Sequence, residues 1–337
     1  MTNANLSRMA YGYATSQILY AAVRLGVPDA LAAGPVPVAK LADALDCDPG
    51  GLSRLIRALV VLGLAAEGDA DQVELTEVAQ PLRADHPRSM RSSVLLYGHP
   101  AIWQAWGALA DGVRTGGSAF GQAHDRPLFD HLAEDPELSG VFNNAMREGT
   151  ATVAAEVARA YDFTRARTVV DVGGGNGTLL AAVLTATPHA RGILFDSVAG
   201  AADAPDTFRR AGLTGRWSIA HGDFFTGVPA GDTLLVKGIL HDWDDTRCHT
   251  LLRHCRAAVA ADGRLLVIEP VMPDRLDAPE AIGVVLSDIA MLAYTTGRER
   301  SRTEYRQLLA AAGFTLESVT APLAGSAVRI LTAVPVS

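Results

Sequence analysis

The chain has 337 residues, 49% of them hydrophobic, and its formal net charge is −8 with a pI near 5.6. That is enough for one large domain or two modest ones, and the acidic balance argues against nucleic acid or an anionic membrane as a partner. Three cysteines are too few for a disulfide framework. The start, MTNANLSRMAYGYATSQ, has no secretory pattern, and no window reaches ~18 uninterrupted apolar residues, so we expect a cytoplasmic protein.

The first part of the chain has the outline of a winged helix. Residues 6–34 have helical spacing, and a helix is predicted at 38–45. A turn, DCDPG, leads to a second helix at about 51–64, and a short hairpin is predicted around 69–71. Winged helices commonly bind DNA, so the outline raises that function as an alternative.

The charge of this region argues against DNA binding. Residues 1–90 contain 7 Lys and Arg against 10 Asp and Glu. The second helix, GLSRLIRALVVLGL, carries Arg54 and Arg57 but is mostly apolar, whereas a DNA-reading helix needs a basic face. We interpret the apolar helices between Leu6 and Leu31 as a dimer interface instead.

From about Pro87 to Tyr161 the pattern stays helical, and after that its period changes. The predicted strands are short apolar runs, at 168–173, 192–197, 217–223, 233–240 and 264–270. The predicted helices between them lie at 178–186, 204–211 and 246–260. Alternating strands and helices predict a parallel sheet. The tail segments FTLESVTA and AVRILTAVP are joined by only PLAGS, too short for a parallel crossover, so the last strand should be antiparallel.

A glycine-rich loop follows the first strand of that sheet, in VVDVGGGNGTLL. Such loops let backbone N–H groups approach a ligand. The spacing is GxGxG at Gly173, Gly175 and Gly177, and the third glycine of a dinucleotide fingerprint would fall on Thr178. Asp171 suits a cofactor that carries an ammonium group better than a pyrophosphate.

The next two strands end on carboxylates. Asp196 is placed to take both hydroxyls of a ribose, and Asp223, with Phe224 beside it, to frame an adenine. Glycine loops are also ordinary turn devices. The order of these groups along successive strands nevertheless favours S-adenosylmethionine (SAM) over NAD.

The segment LVKGILHDWDD (235–245) ends an apolar run in His241. The aspartates Asp244 and Asp245 are typical of a helix start, and Trp243 is interpreted as packing. In CHTLLRHC (248–255), Cys248 and Cys255 share a helix face while the two histidines point elsewhere, so four ligands do not converge and no metal is expected.

The motifs together resemble those of the SAM-dependent small-molecule O-methyltransferases, the family of the plant caffeate and isoflavone enzymes, hydroxyindole O-methyltransferase and bacterial natural-product enzymes. They are DVGGGNG, GDFF, LVKGILHDWDD, LLVIEP, GRER and AAGF. The resemblance covers nearly the whole chain. It implies an α/β fold with a class I methyltransferase Rossmann-like sheet, mostly parallel with the last strand antiparallel, after an N-terminal α-helical winged-helix dimerisation domain. The expected divisions are 1–95 for dimerisation, 96–160 for a helical linker and substrate pocket, and 161–337 for SAM binding.

The resemblance also implies roles for particular residues. His241 aligns with the family's general base, and Glu269 and Glu299 with the carboxylates that flank it. The residues implied for the cofactor are Gly173, Gly175, Asp196, Asp223, Phe224 and Lys237. Those implied for the substrate are Asp242, Met291, Trp103, Phe142, Asn143 and Met146. The family usually follows its ribose aspartate with Leu-Pro, whereas this chain reads FDSVAGAADAP, so the loop after Asp196 is expected to differ.

The chemistry expected is methylation of a hydroxyl on an aromatic or polyketide-like compound, without metal. A phenol with a pKa near ~10 is mostly protonated at pH 7, and a positioned histidine can remove its proton as the oxygen attacks. A homodimer with a small-molecule substrate and no nucleic acid is expected. Three alternatives stay open: SAM-bound chemistry other than methylation (hydroxylation, decarboxylation or cyclisation), N- or C-methylation, and a SAM-sensing regulator.

Overall fold

A computed structural model describes residues 3–69, 71–323 and 326–336. It contains two compact units, Met1–Trp103 with Leu132–Glu148, and Gln104–His131 with Gly149–Ser337. The division expected from the sequence, at 95 and 160, stays a prediction. Within the described ranges, no helix has the length and apolar character needed to cross a membrane.

The first unit contains the winged-helix outline. Its helices are α1 Asn3–Ala10, α2 Tyr13–Arg24, α3 Val27–Ala30, α4 Val38–Ala44, α5 Pro49–Val61, α6 Arg91–Gly98 and α7 Pro100–Gly107, the last of which runs across the boundary between the units. Its strands are β1 Val36–Pro37, β2 Ala65–Glu67 and β3 Gln72–Leu75, antiparallel in the order β1-β3-β2. Asp48 caps α5 by accepting the Gly51 N–H at 2.7 Å, which explains why this helix begins at Pro49.

The helical spacing predicted over residues 6–34 is confirmed by parts of three short helices, and Gly26 separates α2 from α3 with a φ of +80°, which favours glycine. The hairpin turn predicted at 69–71 includes Ala70, which lies outside the described residues; its two strands are β2 and β3.

The remaining helices and strands belong mostly to the second unit, which contains a second, larger sheet. The helices are α8 Leu109–Thr115, α9 Ala119–His124, α10 Leu128–Glu134, α11 Pro136–Ala160, α12 Thr178–Ala186, α13 Ala204–Arg210, α14 Asp245–Ala258, α15 Ala281–Tyr294 and α16 Arg302–Ala311. The strands are β4 Thr168–Val172, β5 Arg191–Asp196, β6 Trp217–His221, β7 Gly231–Lys237, β8 Val259–Met272, β9 Arg300–Ser301, β10 Phe314–Val319 and β11 Val328–Pro335.

The sheet has the order β10-β11-β8-β7-β4-β5-β6, with β9 beside β8. Strands β4 to β8 pair in parallel, while β11 pairs antiparallel with both β8 and β10. The mostly parallel sheet with an antiparallel last strand is therefore confirmed. The chain moves outward from β4 through β5 to β6, then returns to β7 on the other side of β4, which creates a switch point between β4 and β7.

Both faces of this sheet are buried, as continuous apolar strands require. One face packs with α12 and α13 around Leu180, Leu194 and Phe208. The other packs with α14 and α16 around Leu251 and Leu309. Two predicted strand bounds were wrong. Strand β7 ends at Lys237 rather than at 240, and β8 extends over Val259–Met272 because its first residues pair with the start of β7.

Candidate active site

The site residues predicted from the second half of the chain converge at the switch point. The glycine loop leaves β4 and the histidine segment leaves β7, and these strands are direct neighbours, with Val172 paired to Val236. Gly173 lies against Ile239 so closely that an added Cβ would stand 2.6 Å from the Ile239 Cδ1. The two loops therefore form one edge of the sheet, where open α/β sheets bind ligands.

The glycine loop has the conformation that glycine alone adopts easily. Gly173 and Gly175 have φ values of +67° and +56°. Gly175 has no heavy atom within 4 Å of an added Cβ, so its backbone faces open space. Beneath the loop, Asp171 is buried, and its Oδ2 has no hydrogen-bond partner among the described residues. Burial raises the pKa of Asp171 to about 7, and the nearby Asp196 adds to this while Lys237 opposes it.

Asp196 ends β5 beside that loop and is held by backbone donors. Its Oδ2 accepts the Gly175 N–H at 2.7 Å, and its Oδ1 accepts the Ser197 N–H at 2.7 Å. The loop that replaces Leu-Pro in this chain then folds back over the carboxylate. A Cβ on Gly200 would stand 2.7 Å from the Asp196 Cγ and closer still to Oδ1, so a larger residue here would have to displace the Asp196 carboxylate. The loop after Asp196 thus forms a turn that packs on its carboxylate, and that it differs from the family's loop stays a prediction.

Asp223 and Phe224 follow β6 on the same side of the sheet. Asp223 is exposed, and its Oδ1 accepts the Phe225 N–H at 2.8 Å. The Phe224 ring lies 3.7 Å from the position of a Cβ built on Gly173, which places the aromatic ring beside the glycine loop. Asp171, Asp196, Asp223 and Phe224 therefore lie at the carboxyl ends of three neighbouring strands, β4, β5 and β6.

The histidine lies beyond the strand, not at its end. After Lys237 the chain turns at Gly238, with a φ of +61°, and Leu240–Asp242 form one 3₁₀ turn. Asp244 then caps α14 by accepting the Arg247 N–H at 2.9 Å, as the aspartate pattern predicted. The expectation that His241 continues directly from an eight-residue strand is wrong, because a glycine break separates the two.

Two buried glutamates contact the histidine turn in different ways. The His241 Nδ1 lies 2.9 Å from Glu299 Oε1, which makes a hydrogen bond, and 3.6 Å from Glu269 Oε2. Glu269 uses its other oxygen, Oε1, to accept the N–H groups of Ile239 and Leu240 at 2.9 Å each. Glu299 therefore orients the imidazole, whereas Glu269 mainly fixes the backbone that carries it.

The charges at this turn strongly favour imidazolium. Burial opposes the charged ring, but Glu269, Asp242 and Glu299 outweigh it and raise the pKa of His241 to about 10. Burial raises the pKa of Asp242 to about 6 although His241 opposes this, and burial likewise raises the pKa of Glu269. Burial lowers the pKa of Lys237, whereas the negative charges of Glu269, Asp171 and Asp242 raise it. Lys237 therefore interacts electrostatically with the glycine-loop carboxylate and with the carboxylates around the histidine.

Sequence reasoning missed several groups that hold the histidine turn. The buried Arg300 donates to the carbonyls of Leu240 and Trp243 at 2.8 Å each, and also to the carboxylate of Asp245. Cys248 lies beneath the same two carbonyls, 3.1 and 3.4 Å from them. Arg300 stands inside the quoted motif GRER, but nothing in its local pattern distinguishes it from a surface arginine.

A helix and a glycine complete the support of the turn. Ser287, on α15, donates from Oγ to Glu299 Oε1 at 2.6 Å. Gly297 packs directly on the backbone of His241–Trp243. Gly297 belongs to the quoted motif GRER, but no local pattern indicates what either residue contacts, because each acts through a contact distant along the chain.

The proposed substrate residues fall in both units. Asp242 and Met291 belong to the second unit; Asp242 Oδ1 is 3.9 Å from His241 Nε2, and Met291 is one helical turn after Ser287 on α15. Trp103, Phe142, Asn143 and Met146 belong to the first unit. Of these, Trp103 and Met146 are 37% and 45% exposed. The substrate role of all six stays a prediction.

Comparison with known proteins identifies the family. The model of the O-methyltransferase domain matches residues 106–315, and that of the O-methyltransferase dimerisation domain matches 7–85. The chain belongs to the O-methyltransferase family. It is 43% identical over 331 residues to O-demethylpuromycin-O-methyltransferase of Streptomyces alboniger, covering 97% of this chain and 88% of that one. The crystal structure of human N-acetylserotonin methyltransferase in complex with SAM superimposes with a TM-score of 0.90 at 28% identity, covering 100% and 99% of the two chains.

The protein is thus a SAM-dependent O-methyltransferase, and the loop fits this cofactor. The buried Asp171 Oδ2, which has no partner in the part of the chain that the structure describes, suits a cation such as the ammonium of SAM, and the open backbone at Gly175 admits a ligand. One relative carries another activity. Aclacinomycin 10-hydroxylase RdmB of Streptomyces purpurascens is 36% identical over 310 residues, covering 90% of this chain and 82% of that one.

Proposed function

We propose that this enzyme methylates an aromatic hydroxyl with His241 as the general base. The observation that carries the proposal is the hydrogen bond of 2.9 Å between His241 Nδ1 and Glu299 Oε1. It places a proton on Nδ1, so that Nε2 is the atom available to accept the proton of a substrate hydroxyl. SAM supplies an activated methyl group when bound, and the protein then has to deprotonate and orient the acceptor.

The charge at His241 makes this role depend on what occupies the site. With a pKa of about 10, the imidazole is mostly protonated at neutral pH, and imidazolium is not a base. A positive charge nearby lowers the pKa of a histidine. The sulfonium of SAM carries such a charge, whereas S-adenosylhomocysteine (SAH), the product, is uncharged at sulfur. We infer that His241 becomes a base in the loaded site and holds its proton after transfer.

The cofactor residues follow from the arrangement of the loops. Gly173 and Gly175 would lie against the methionine part, and the Asp171 carboxylate would face its ammonium. Asp196 would accept from the ribose hydroxyls through Oδ2, which has one donor, the Gly175 N–H, and can accept a second, whereas Oδ1 already accepts from both the N–H and the Oγ of Ser197. Asp223 and Phe224 would then frame the adenine, and Lys237 would balance the buried carboxylates beside it.

An aromatic hydroxyl as acceptor is supported by the names of the relatives, which refer to O-demethylpuromycin and N-acetylserotonin. Asp242 lies 3.9 Å from the proposed base and Met291 lies one helical turn after Ser287, and both are proposed to contact this acceptor. Substrate roles for Trp103, Phe142, Asn143 and Met146 are proposed on the family resemblance alone.

A homodimer is proposed for the N-terminal unit, in a cytoplasmic enzyme. Helix α1 has no buried residue, and its side chains Leu6 and Met9 are 56% and 66% exposed. Tyr11 and Val61 are exposed as well. Exposed apolar surface of this extent is typical of an interface, and the matching dimerisation model supports it. Light scattering of the purified chain tests the dimer, and fractionation of the producing cells tests the location.

The test of the activity is transfer of a labelled methyl group from SAM to a panel of phenols, with His241→Gln as the key variant. Loss of the base should reduce kcat by at least ~10²-fold. The exposed His189→Ala serves as the matched histidine control. A loss of only a few-fold in His241→Gln would mean that the acceptor loses its proton without this side chain.

The second candidate is hydroxylation, which the relationship to aclacinomycin 10-hydroxylase favours. Analysis of the same incubations by mass spectrometry separates the reactions, because methylation adds 14 mass units to the acceptor and hydroxylation adds 16, as the formulas CH₂ and O require. O-, N- and C-methylation add the same mass, so locating the modified atom in the product distinguishes them. Retention of SAM with no methylated product would contradict the proposed function.

A further inference from the structure

Ser287 contacts the carboxylate that orients the proposed base. Its Oγ donates to Glu299 Oε1 at 2.6 Å, and the same oxygen receives the Nδ1–H of His241 at 2.9 Å. The two donors come from different elements, Ser287 from the middle of α15 and His241 from the 3₁₀ turn after β7. One carboxylate oxygen is therefore shared between a neutral hydroxyl and the imidazole.

The rest of the Glu299 side chain has few partners. The residue is buried, and no donor among the described residues reaches its Oε2. Its backbone N–H is held by Asp288 Oδ1 at 2.9 Å, which fixes where the carboxylate stands. Both hydrogen bonds of the Glu299 side chain converge on Oε1. Removing the Ser287 donor should therefore change how strongly this oxygen interacts with the His241 donor.

We propose that Ser287 is a positioning residue that limits the basicity of His241 by sharing the Glu299 carboxylate with it. A hydroxyl that donates to a carboxylate takes up part of its negative charge. Less charge is then left to stabilise the imidazolium. The inference deepens the proposed function, since it concerns the group assigned as the base.

The other charged groups near His241 lie on β7, on β8 or on the turn itself. Glu269, from β8, approaches Nδ1 but is held by two backbone N–H groups of the turn. Asp242, from the same turn, faces Nε2. Lys237, from β7, faces both Glu269 and Asp242. A change at Ser287 therefore reaches the imidazole through Glu299.

The experiment titrates His241 in the full-length, cofactor-free enzyme by NMR of labelled histidine, with the signal assigned by loss in His241→Gln. Ser287→Ala should raise the pKa of His241 by about one unit. The reason is that the lost hydrogen bond to the carboxylate leaves more negative charge on Glu299 to stabilise the imidazolium. Ser287→Thr keeps the hydroxyl and should leave this pKa at its wild-type value. Ser218→Ala, on the exposed side of β6, is the control for losing a serine elsewhere.

The pH profile of kcat is the second measurement. A base with a raised pKa becomes active at higher pH, so the acidic limb for Ser287→Ala should move upward by the same amount. Its rate on the high-pH plateau should stay within about two-fold of wild type, because the histidine remains in place. A purely structural role would lower the plateau and leave the limb where it is.

Two outcomes would overturn the inference: an unchanged pKa in Ser287→Ala, or an equal shift in Ser287→Thr, which would implicate packing rather than the hydroxyl. Failure of the proposed function gives a different result. If the pKa of His241 moves as expected while the kcat profile does not, the inference about Ser287 holds and His241 is not the base.

Discussion

Gly297→Ala should displace the histidine turn while leaving the imidazole of the proposed base chemically unchanged. A Cβ added at position 297 would stand 2.4 to 2.5 Å from backbone atoms of Asp242 and Trp243, and closer still to the His241 carbonyl oxygen. Real Cβ atoms essentially never come within 3.0 Å of a neighbour. All three atoms belong to backbone, so no side chain can rotate to relieve the overlap. The turn must retreat as a unit.

The displacement of the histidine turn should lower the rate of methyl transfer. Restoring ordinary contact requires a displacement of about 1 Å, and a misplacement of that size can cost ~10²-fold in rate. The turn cannot move freely, because Arg300 holds the carbonyls of Leu240 and Trp243 from another side. We expect kcat to fall by ~10²-fold while the affinity for SAH changes by less than about three-fold, since the loops after β4 and β5 are not displaced.

The assay combines single-turnover methyl transfer, SAH binding by calorimetry and thermal melting. Gly283→Ala is the matched control, since no heavy atom lies within 4 Å of its added Cβ on the exposed face of α15. Intact SAH binding by Gly297→Ala would show that the variant is folded. A wild-type kcat with an unchanged melting temperature would refute the argument that Gly297 sets the position of His241.

Three further outcomes follow from the site. Gly200→Ala should weaken SAH binding at least ~10-fold, because its Cβ would displace the Asp196 carboxylate, whereas Gly227→Ala, in open space, should not; equal affinities would show that the loop yields. Arg300→Lys should lower the free energy of unfolding by ~2 kcal/mol, which chemical denaturation measures. The single ammonium of a lysine cannot span the two carbonyls and the carboxylate that the planar guanidinium reaches. At about pH 8, SAM binding should release more protons than SAH binding, because the sulfonium lowers the pKa of His241, which is about 10 in the free enzyme. Calorimetry in buffers of different ionisation enthalpy measures the number of protons released. Equal release by the two ligands would contradict this prediction.

Much of the fold was predictable because it depends on local patterns. Apolar runs of strand length alternating with helical segments predict a parallel sheet, and the short link before the last strand predicts its antiparallel pairing. The order of Asp171, Asp196 and Asp223 at successive strand ends indicated the cofactor class for the same reason. The bounds of β7 were less predictable, since the apolar Ile239 and Leu240 continue the strand pattern past the glycine break.

The amino-acid sequence by itself determined the fold class, the cofactor class and the candidacy of His241. Only the tertiary structure decided how the histidine is held: that Glu299 bonds its ring while Glu269 bonds its backbone, and that Ser287 and Arg300 support both. These groups are distant along the chain, and the register of β8 against β7 and the approach of α15 bring them together. A periodic pattern reports which face of an element is buried, but a hydrogen bond between elements depends on three-dimensional contact, which no local pattern encodes.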